Sequence, residues 1–258
     1  MGPSPGFCAD CFQGIRHEGT PNGKIEHIGG VECYVAEPHG AHSQAKGILF
    51  LTDAYGHKFV NNQLLADDYA RNGFHVVMPD LFHNDAVPSF VPPDASISRE
   101  EFDVLAWVGR HPPETVGRTV AQVITALQER GTRKLAGLGY CFGARIAIDL
   151  SFVDAISVCV VSHPSLWKVP DDIERYLVES KAPLLINSCE ADEMFPKEAQ
   201  ENADAILGGG RFRPGYERTY WQGCGHGFAV RGDMRNPNVR AGKEGAFKAT
   251  IEFLRKHL

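Results

Sequence analysis

Leu138-Gly139-Tyr140-Cys141-Phe142-Gly143-Ala144 is the stretch whose reading decides the fold. The short apolar run Lys134-Leu135-Ala136-Gly137 leads into it, and the helix-like Ala144-Arg145-Ile146-Ala147-Ile148-Asp149-Leu150 leads out. The order is strand, sharp turn, helix, with Gly-x-Cys-x-Gly at the turn. A side chain at the apex of such a turn is forced into a strained backbone conformation. The residues two before and two after it must be small, because strand and helix pass too close for a Cβ. That geometry pushes the Cys141 sulfur out at the C-terminal edge of a parallel sheet and aims the first amides of the new helix at it. The competing reading is a small buried cysteine in a glycine-rich βα loop, and the motif alone does not separate the two.

Upstream, Val31-Glu32-Cys33-Tyr34-Val35-Ala36-Glu37-Pro38 alternates and reads as an early edge strand. Gly47-Ile48-Leu49-Phe50-Leu51-Thr52-Asp53 is a continuous apolar run, as a buried parallel strand requires. Helical spacing follows from Asn61 to Asn72 and stops at Gly73, and Phe74-His75-Val76-Val77-Met78-Pro79-Asp80 is the next strand. Strand, helix and strand with short joints make a βαβ unit, so the sheet is parallel. Between residues 81 and 113 the pattern breaks: prolines 88, 92, 93 and 112 flank one short helix, Arg99 to Gly109. Such an insertion sits over the strand ends and reads as a lid. Thr115 to Arg130 is an amphipathic helix. Beyond the elbow come strands at Ile156–Ser162, Pro183–Cys189 and Arg218–Trp221, helices at Asp171–Glu179 and Pro196–Leu207, and a closing helix from Gly242 to His257. No repeat or linker divides the chain, so residues 1–258 read as one α/β domain: a mostly parallel twisted sheet with helices on both faces.

Composition narrows the function. A length of 258 residues, 43% hydrophobic and 22% charged, suits a soluble globular protein. A net charge of −6 leaves no basic footprint for nucleic acid. No apolar run reaches the ~18 residues of a membrane span, and the start of the chain lacks the pattern of a secretory signal. Seven scattered cysteines fit free thiols in a reducing compartment, which makes a cytoplasmic location the expectation. Residues 1–30 carry little periodicity and read as an N-terminal arm. Cys8-x-x-Cys11 lies there, but a metal site needs a second pair of ligands that is not evident, so neither metal nor cofactor is expected.

Three residues fall at the ends of three different strands. Cys141 is at the elbow, Asp192 follows the strand containing Ile186, and His226 lies in a glycine-flanked loop after the strand containing Tyr220. Loops at the carboxyl ends of such strands share one crevice. His226 can accept the thiol proton and return it to a leaving group, while Asp192 fixes the tautomer and supports the imidazolium. A surface-loop histidine and a solvated carboxylate beside Glu193 are the competing readings of the last two.

The order nucleophile, acid, histidine resembles that of the α/β-hydrolases. Within them the chain resembles the dienelactone hydrolase family, with its cysteine elbow. Gly19-Thr20-Pro21-x-Gly23, Asp53-Ala54-Tyr55-Gly56, the run from Ala66 to Phe82, and Gly225-His226-Gly227-Phe228-Ala229-Val230-Arg231 are similar to its fungal branch. The resemblance implies an oxyanion hole from the backbone amides of Ala54 and Phe142. It also implies an acid at Asp53 associated with the thiol, here one methylene shorter than the family's usual glutamate. Of the two arginines that bind a substrate carboxylate in the family's prototype, one has a near match in Arg231. The other is absent, since His83, Asn84 and Asp85 occupy its turn. The expected substrate is therefore a small-molecule ester or lactone that is larger and less charged than a simple dienelactone carboxylate. Tyr55, Phe82, His163, Trp167 and Phe228 are candidate pocket residues, each equally readable as core. The activity that follows is opening of a lactone or activated ester through a thioester on Cys141. A thioesterase or lactamase-like acyl hydrolase and a catalytically silent binding module are the alternatives, and a homodimer is left open.

Overall fold

The apolar runs assemble into one eight-stranded sheet in a computed structural model that describes residues 17–40, 42, 44–88 and 103–258. The strands are β1 (Lys24–Ile28), β2 (Val31–Ala36), β3 (Lys46–Leu51), β4 (His75–Pro79), β5 (Lys134–Tyr140), β6 (Val158–Ser162), β7 (Leu184–Ala191) and β8 (Tyr216–Gly225). Their spatial order is β1-β2-β4-β3-β5-β6-β7-β8. All neighbouring pairs from β4 to β8 are parallel, and β2 runs antiparallel to both β1 and β4. β3 to β6 are buried almost throughout, as strands covered by helices on both faces must be.

Helices fill the connections: α1 (Val60–Arg71), α2 (Val104–Arg110), α3 (Pro113–Glu129), α4 (Phe142–Phe152), α5 (Asp171–Glu179), α6 (Lys197–Leu207), α7 (Phe228–Arg231) and α8 (Pro237–His257). α3, α4, α5 and α6 pack in one row, and α1, α7 and α8 in another. The long apolar stripe of α3 (Val116, Val120, Val123, Ile124, Leu127) is buried, which is why its sequence period was so plain.

Chain direction places the site. From β3 the chain goes out to β4 on one side, then returns to β5 on the other, so strand order reverses between β3 and β5. At such a reversal the loops at the carboxyl ends diverge and leave a crevice. Asp53 and Ala54 follow β3, and Cys141 follows β5.

Four expectations need correction. β2 is not an edge strand, because β1 covers it. β1 was hidden inside the arm because four of its five residues are exposed or half-buried and two are charged, the usual protection of a sheet edge. β8 is longer than Arg218–Trp221 and runs on through Gly223 to Gly225, past an irregular register between Cys189 and Ala191. α7 was not anticipated, and α8 begins at Pro237 rather than Gly242. There the Asn236 side chain accepts from the amides of Asn238 and Val239 and proline takes the first helical position. In the 81–113 insertion the described helix is α2; residues 89–102, and Cys8 with Cys11, lie outside the described residues.

Candidate active site

The elbow is built from close approach. Cys141 has φ 50° and ψ −111°, in a region that L-residues avoid at a cost of about 1–3 kcal/mol. Its carbonyl accepts from Ala144 N and from Ser165 N, each at 3.1 Å. The flanking glycines have no alternative: a Cβ on Gly143 would lie 2.1 Å from the Leu51 carbonyl oxygen, and one on Gly139 would lie 2.6 Å from Ala144 Cα. The thiol is fully buried, and Phe142 opens α4 immediately after it.

His226 follows β8, its amide donating to the Ala191 carbonyl at 3.0 Å. Gly227 (φ 87°) then turns the chain, and a Cβ there would strike the Arg231 guanidinium at 2.5 Å. His226 Nδ1 lies 2.9 Å from Asp192 Oδ1, with both side chains wholly buried. That oxygen also accepts from the amides of Met194 and Phe195, at 2.9 and 3.2 Å, and the Cys189 thiol donates to the other at 3.7 Å. Burial pushes the His226 imidazole down, but the Asp192 carboxylate and the Cys141 sulfur outweigh it and hold it well above the usual histidine range.

Beside the sulfur and the imidazole, which also hydrogen-bond each other, lies a group that the sequence reading missed. Ser165, fully buried, places its Oγ 3.4 Å from Cys141 Sγ and 3.5 Å from His226 Nε2. Its loop reaches inward through two non-glycine residues at positive φ, His163 (40°) and Leu166 (64°), and no sequence pattern marks such kinks. A strand-end position beside His163 was the one available hint.

Asp53 is bound on all sides. Oδ2 meets Arg231 at 3.0 Å, and Oδ1 accepts from Asn62 Nδ2 at 3.0 Å and Tyr55 N at 3.2 Å. Burial pushes its carboxyl above the ordinary range against the pull of Arg231, and the nearby Cys141 charge adds to the rise. Arg231 is thus held by Asp53 inside the protein rather than turned outward. Ala54 and Phe142 lie on the two sides of the crevice, both fully buried, and the Ala54 carbonyl accepts from Val87 N at 2.9 Å.

The candidate pocket residues divide. His163 touches the site directly: its ring centre lies 5.0 Å from that of His226 and 5.7 Å from that of Phe228, neither ring nitrogen has a hydrogen-bond partner among the described residues, and burial holds its pKa well below the usual value. Phe82 stacks edge-on against Phe142 at 5.1 Å and packs on Trp107 at 5.0 Å. Tyr55 stacks on Phe59, with the Arg231 guanidinium 5.2 Å from its ring centre. Trp167 faces the back of the elbow helix, donating to the Ala144 carbonyl at 3.0 Å. Trp107, unremarked in the sequence, brings α2 over the elbow and donates to the Asp85 carbonyl at 2.6 Å, while the Asp85 carboxylate accepts from Arg110 and His111. A separate cavity of about 620 Å³ lies near α1 and α8, away from the elbow, with His17, Asn61, Asp68 and Lys243 among its lining residues.

Comparison with known proteins agrees with this architecture. The dienelactone hydrolase family model matches residues 31–258. A hydrolase named tropI from Talaromyces stipitatus is 34% identical over 257 residues, covering 96% of this chain and 95% of that protein. Dienlactone hydrolase 1 from Gibberella moniliformis is 32% identical over 95% of this chain and 91% of its own length. The solved dienelactone hydrolase of Anabaena variabilis superimposes with a TM-score of 0.61 over 94% of this chain and 100% of that one, at 13% identity, a likeness of fold.

Proposed function

The chain belongs to the dienelactone hydrolase family, and from that premise we propose that it opens a lactone or activated ester through a thioester on Cys141, with His226 as the proton carrier and Asp192 as its anchor. The observation that carries this reading is the meeting of a strained, fully buried thiol with the His226–Asp192 pair at the strand-order reversal. The thiol gives its proton to His226 and Sγ attacks the acyl carbon. The developing oxyanion accepts from the amides of Ala54 and Phe142, a contribution worth about 10²–10³ in rate per donor. Collapse breaks the C–O bond, and His226 returns the proton to the departing oxygen. Water, deprotonated by the same imidazole, then attacks the thioester, releases the acid and restores the thiol. A thiolate suits lactones and enol or aryl esters, whose leaving groups are good, better than amides.

The surroundings bear on the substrate. Arg231 is engaged by Asp53, and Asp85, in the turn where the prototype's other arginine would stand, holds α2 instead. Aromatic rings of Phe82, Trp107 and Phe142 crowd the elbow from one side. These features support a larger, weakly charged acyl substrate. A panel of uncharged lactones, aryl esters, thioesters and carboxylate-bearing lactones tests it. We expect uncharged lactones or aryl esters to give the highest kcat/KM; a preference of tenfold or more for the carboxylate-bearing lactone would reverse the substrate assignment.

A further inference from the structure

We propose that the Ser165 hydroxyl is a third group acting on the nucleophile: it hydrogen-bonds the Cys141 sulfur and stabilises its thiolate. The proposal rests on the reading of Cys141 as nucleophile and adds a residue that this reading does not need. Three observations carry it. Ser165 Oγ lies 3.4 Å from the sulfur and 3.5 Å from Nε2, so it sits beside the sulfur–imidazole contact, within reach of the charge that forms on the sulfur. The residue is fully buried, so no bulk water competes for the hydroxyl. Its backbone is tied to the elbow, the Ser165 amide donating to the Cys141 carbonyl at 3.1 Å, so the hydroxyl and the sulfur move together.

The proton count closes. With Nδ1–H donated to Asp192, the neutral imidazole presents Nε2 as an acceptor. A serine hydroxyl offers one donor and two acceptor lone pairs. The thiol proton passes to Nε2, and the hydroxyl keeps its own proton and turns it toward the sulfur. The products are thiolate, imidazolium and an intact hydroxyl whose hydrogen now points at the sulfur. Each arrangement is fully hydrogen-bonded, and the second puts one donor on the thiolate in addition to the imidazolium. Hydrogen bonds to the charged form lower an acid's pKa.

Other charges also act on this sulfur. Asp192 acts through His226, the Asp53–Arg231 pair lies close by, and the uncharged ring of His163 packs against His226. A change at Ser165 leaves all of them in place, so a shift in thiol titration reports the hydroxyl.

The test is the pH dependence of iodoacetamide alkylation of Cys141 in the full chain. It is read by mass on the tryptic peptide Leu135–Arg145, with ester turnover measured alongside. Wild type is compared with Ser165→Ala, Ser165→Gly, Ser165→Thr and Cys141→Ala. In the two hydroxyl-free variants the midpoint should rise by about one pH unit, the size of one charge-assisted hydrogen bond, and the acid limb of kcat/KM should move with it. Ser165→Thr should restore both, which a mere packing role would not achieve. A folded hydroxyl-free variant with the wild-type midpoint would overturn the role of Ser165 and leave the nucleophile reading standing. Turnover retained by Cys141→Ala would overturn the nucleophile reading itself.

Discussion

Replacing Cys141 with alanine lowers kcat/KM for any ester or lactone substrate by at least about 10⁴-fold, on the scale of losing the nucleophile from a three-residue acyl-transfer site. The fold survives, since alanine loses only the sulfur from a fully buried position and relieves nothing that the elbow depends on. Stability should fall by about 1 kcal/mol or less, because removing one small buried atom leaves little cavity. Steady-state kinetics beside urea unfolding separates the two effects. Unchanged unfolding with abolished turnover is the expected pair. Turnover within tenfold of wild type would mean that another group performs the attack. Loss of both would show that the sulfur is needed for packing.

Replacing Arg231 with methionine destabilises the protein by about 3–5 kcal/mol, the usual cost of leaving one member of a buried ion pair without its partner. Asp53 would keep Asn62 and the Tyr55 amide as hydrogen-bond donors but lose its counter-charge in a site without solvent. The effect depends on pH with a definite sign. Burial already holds the Asp53 carboxyl above its ordinary value, and the variant raises it further. A carboxyl whose pKa is higher folded than unfolded binds more protons in the native state, so stability is lost as pH rises above about 4. The gap between variant and wild type should therefore widen from pH 4 toward pH 7. Adding Asp53→Asn should recover most of the loss at pH 7, since neither charge of the pair then remains. Urea midpoints for the single and double variants at both pH values provide the check, and a single variant as stable as wild type at pH 7 would contradict the buried pair.

What could be read from the residues alone was whatever has a short-range cause. The elbow announces itself because Gly139 faces the backbone of Ala144 within the same turn, although Gly143 answers to the Leu51 carbonyl at the end of β3. The continuous apolar runs of β3 to β6 mark strands covered on both faces, and the ends of such strands put Cys141, Asp192 and His226 into one crevice. Everything else depends on distant partners. Arg231 meets Asp53 across 178 positions, and nothing local to either residue says so. Ser165 reaches the sulfur only because His163 and Leu166 adopt backbone angles that their residue types disfavour. Trp107 comes from an insertion with no regular period, and its burial follows from the aromatic rings of Phe82 and Phe142 packed against it. β1 escaped notice because an edge strand with charged, exposed positions has no apolar alternation to detect. The reading thus captured the frame and the three residues at strand ends; the groups around them had to be located in space.

The most direct test is to quench the enzyme during turnover of an ester whose acyl group leaves slowly, and to find by mass which residue carries it. Trypsin separates the alternatives cleanly, because Cys141 falls in the peptide Leu135–Arg145 and Ser165 in Ile146–Lys168. The account predicts one acyl group, on the first peptide, removed by hydroxylamine as a thioester is. An acyl group on the second peptide, or steady hydrolysis with no adduct and no loss of rate in Cys141→Ala, would contradict it.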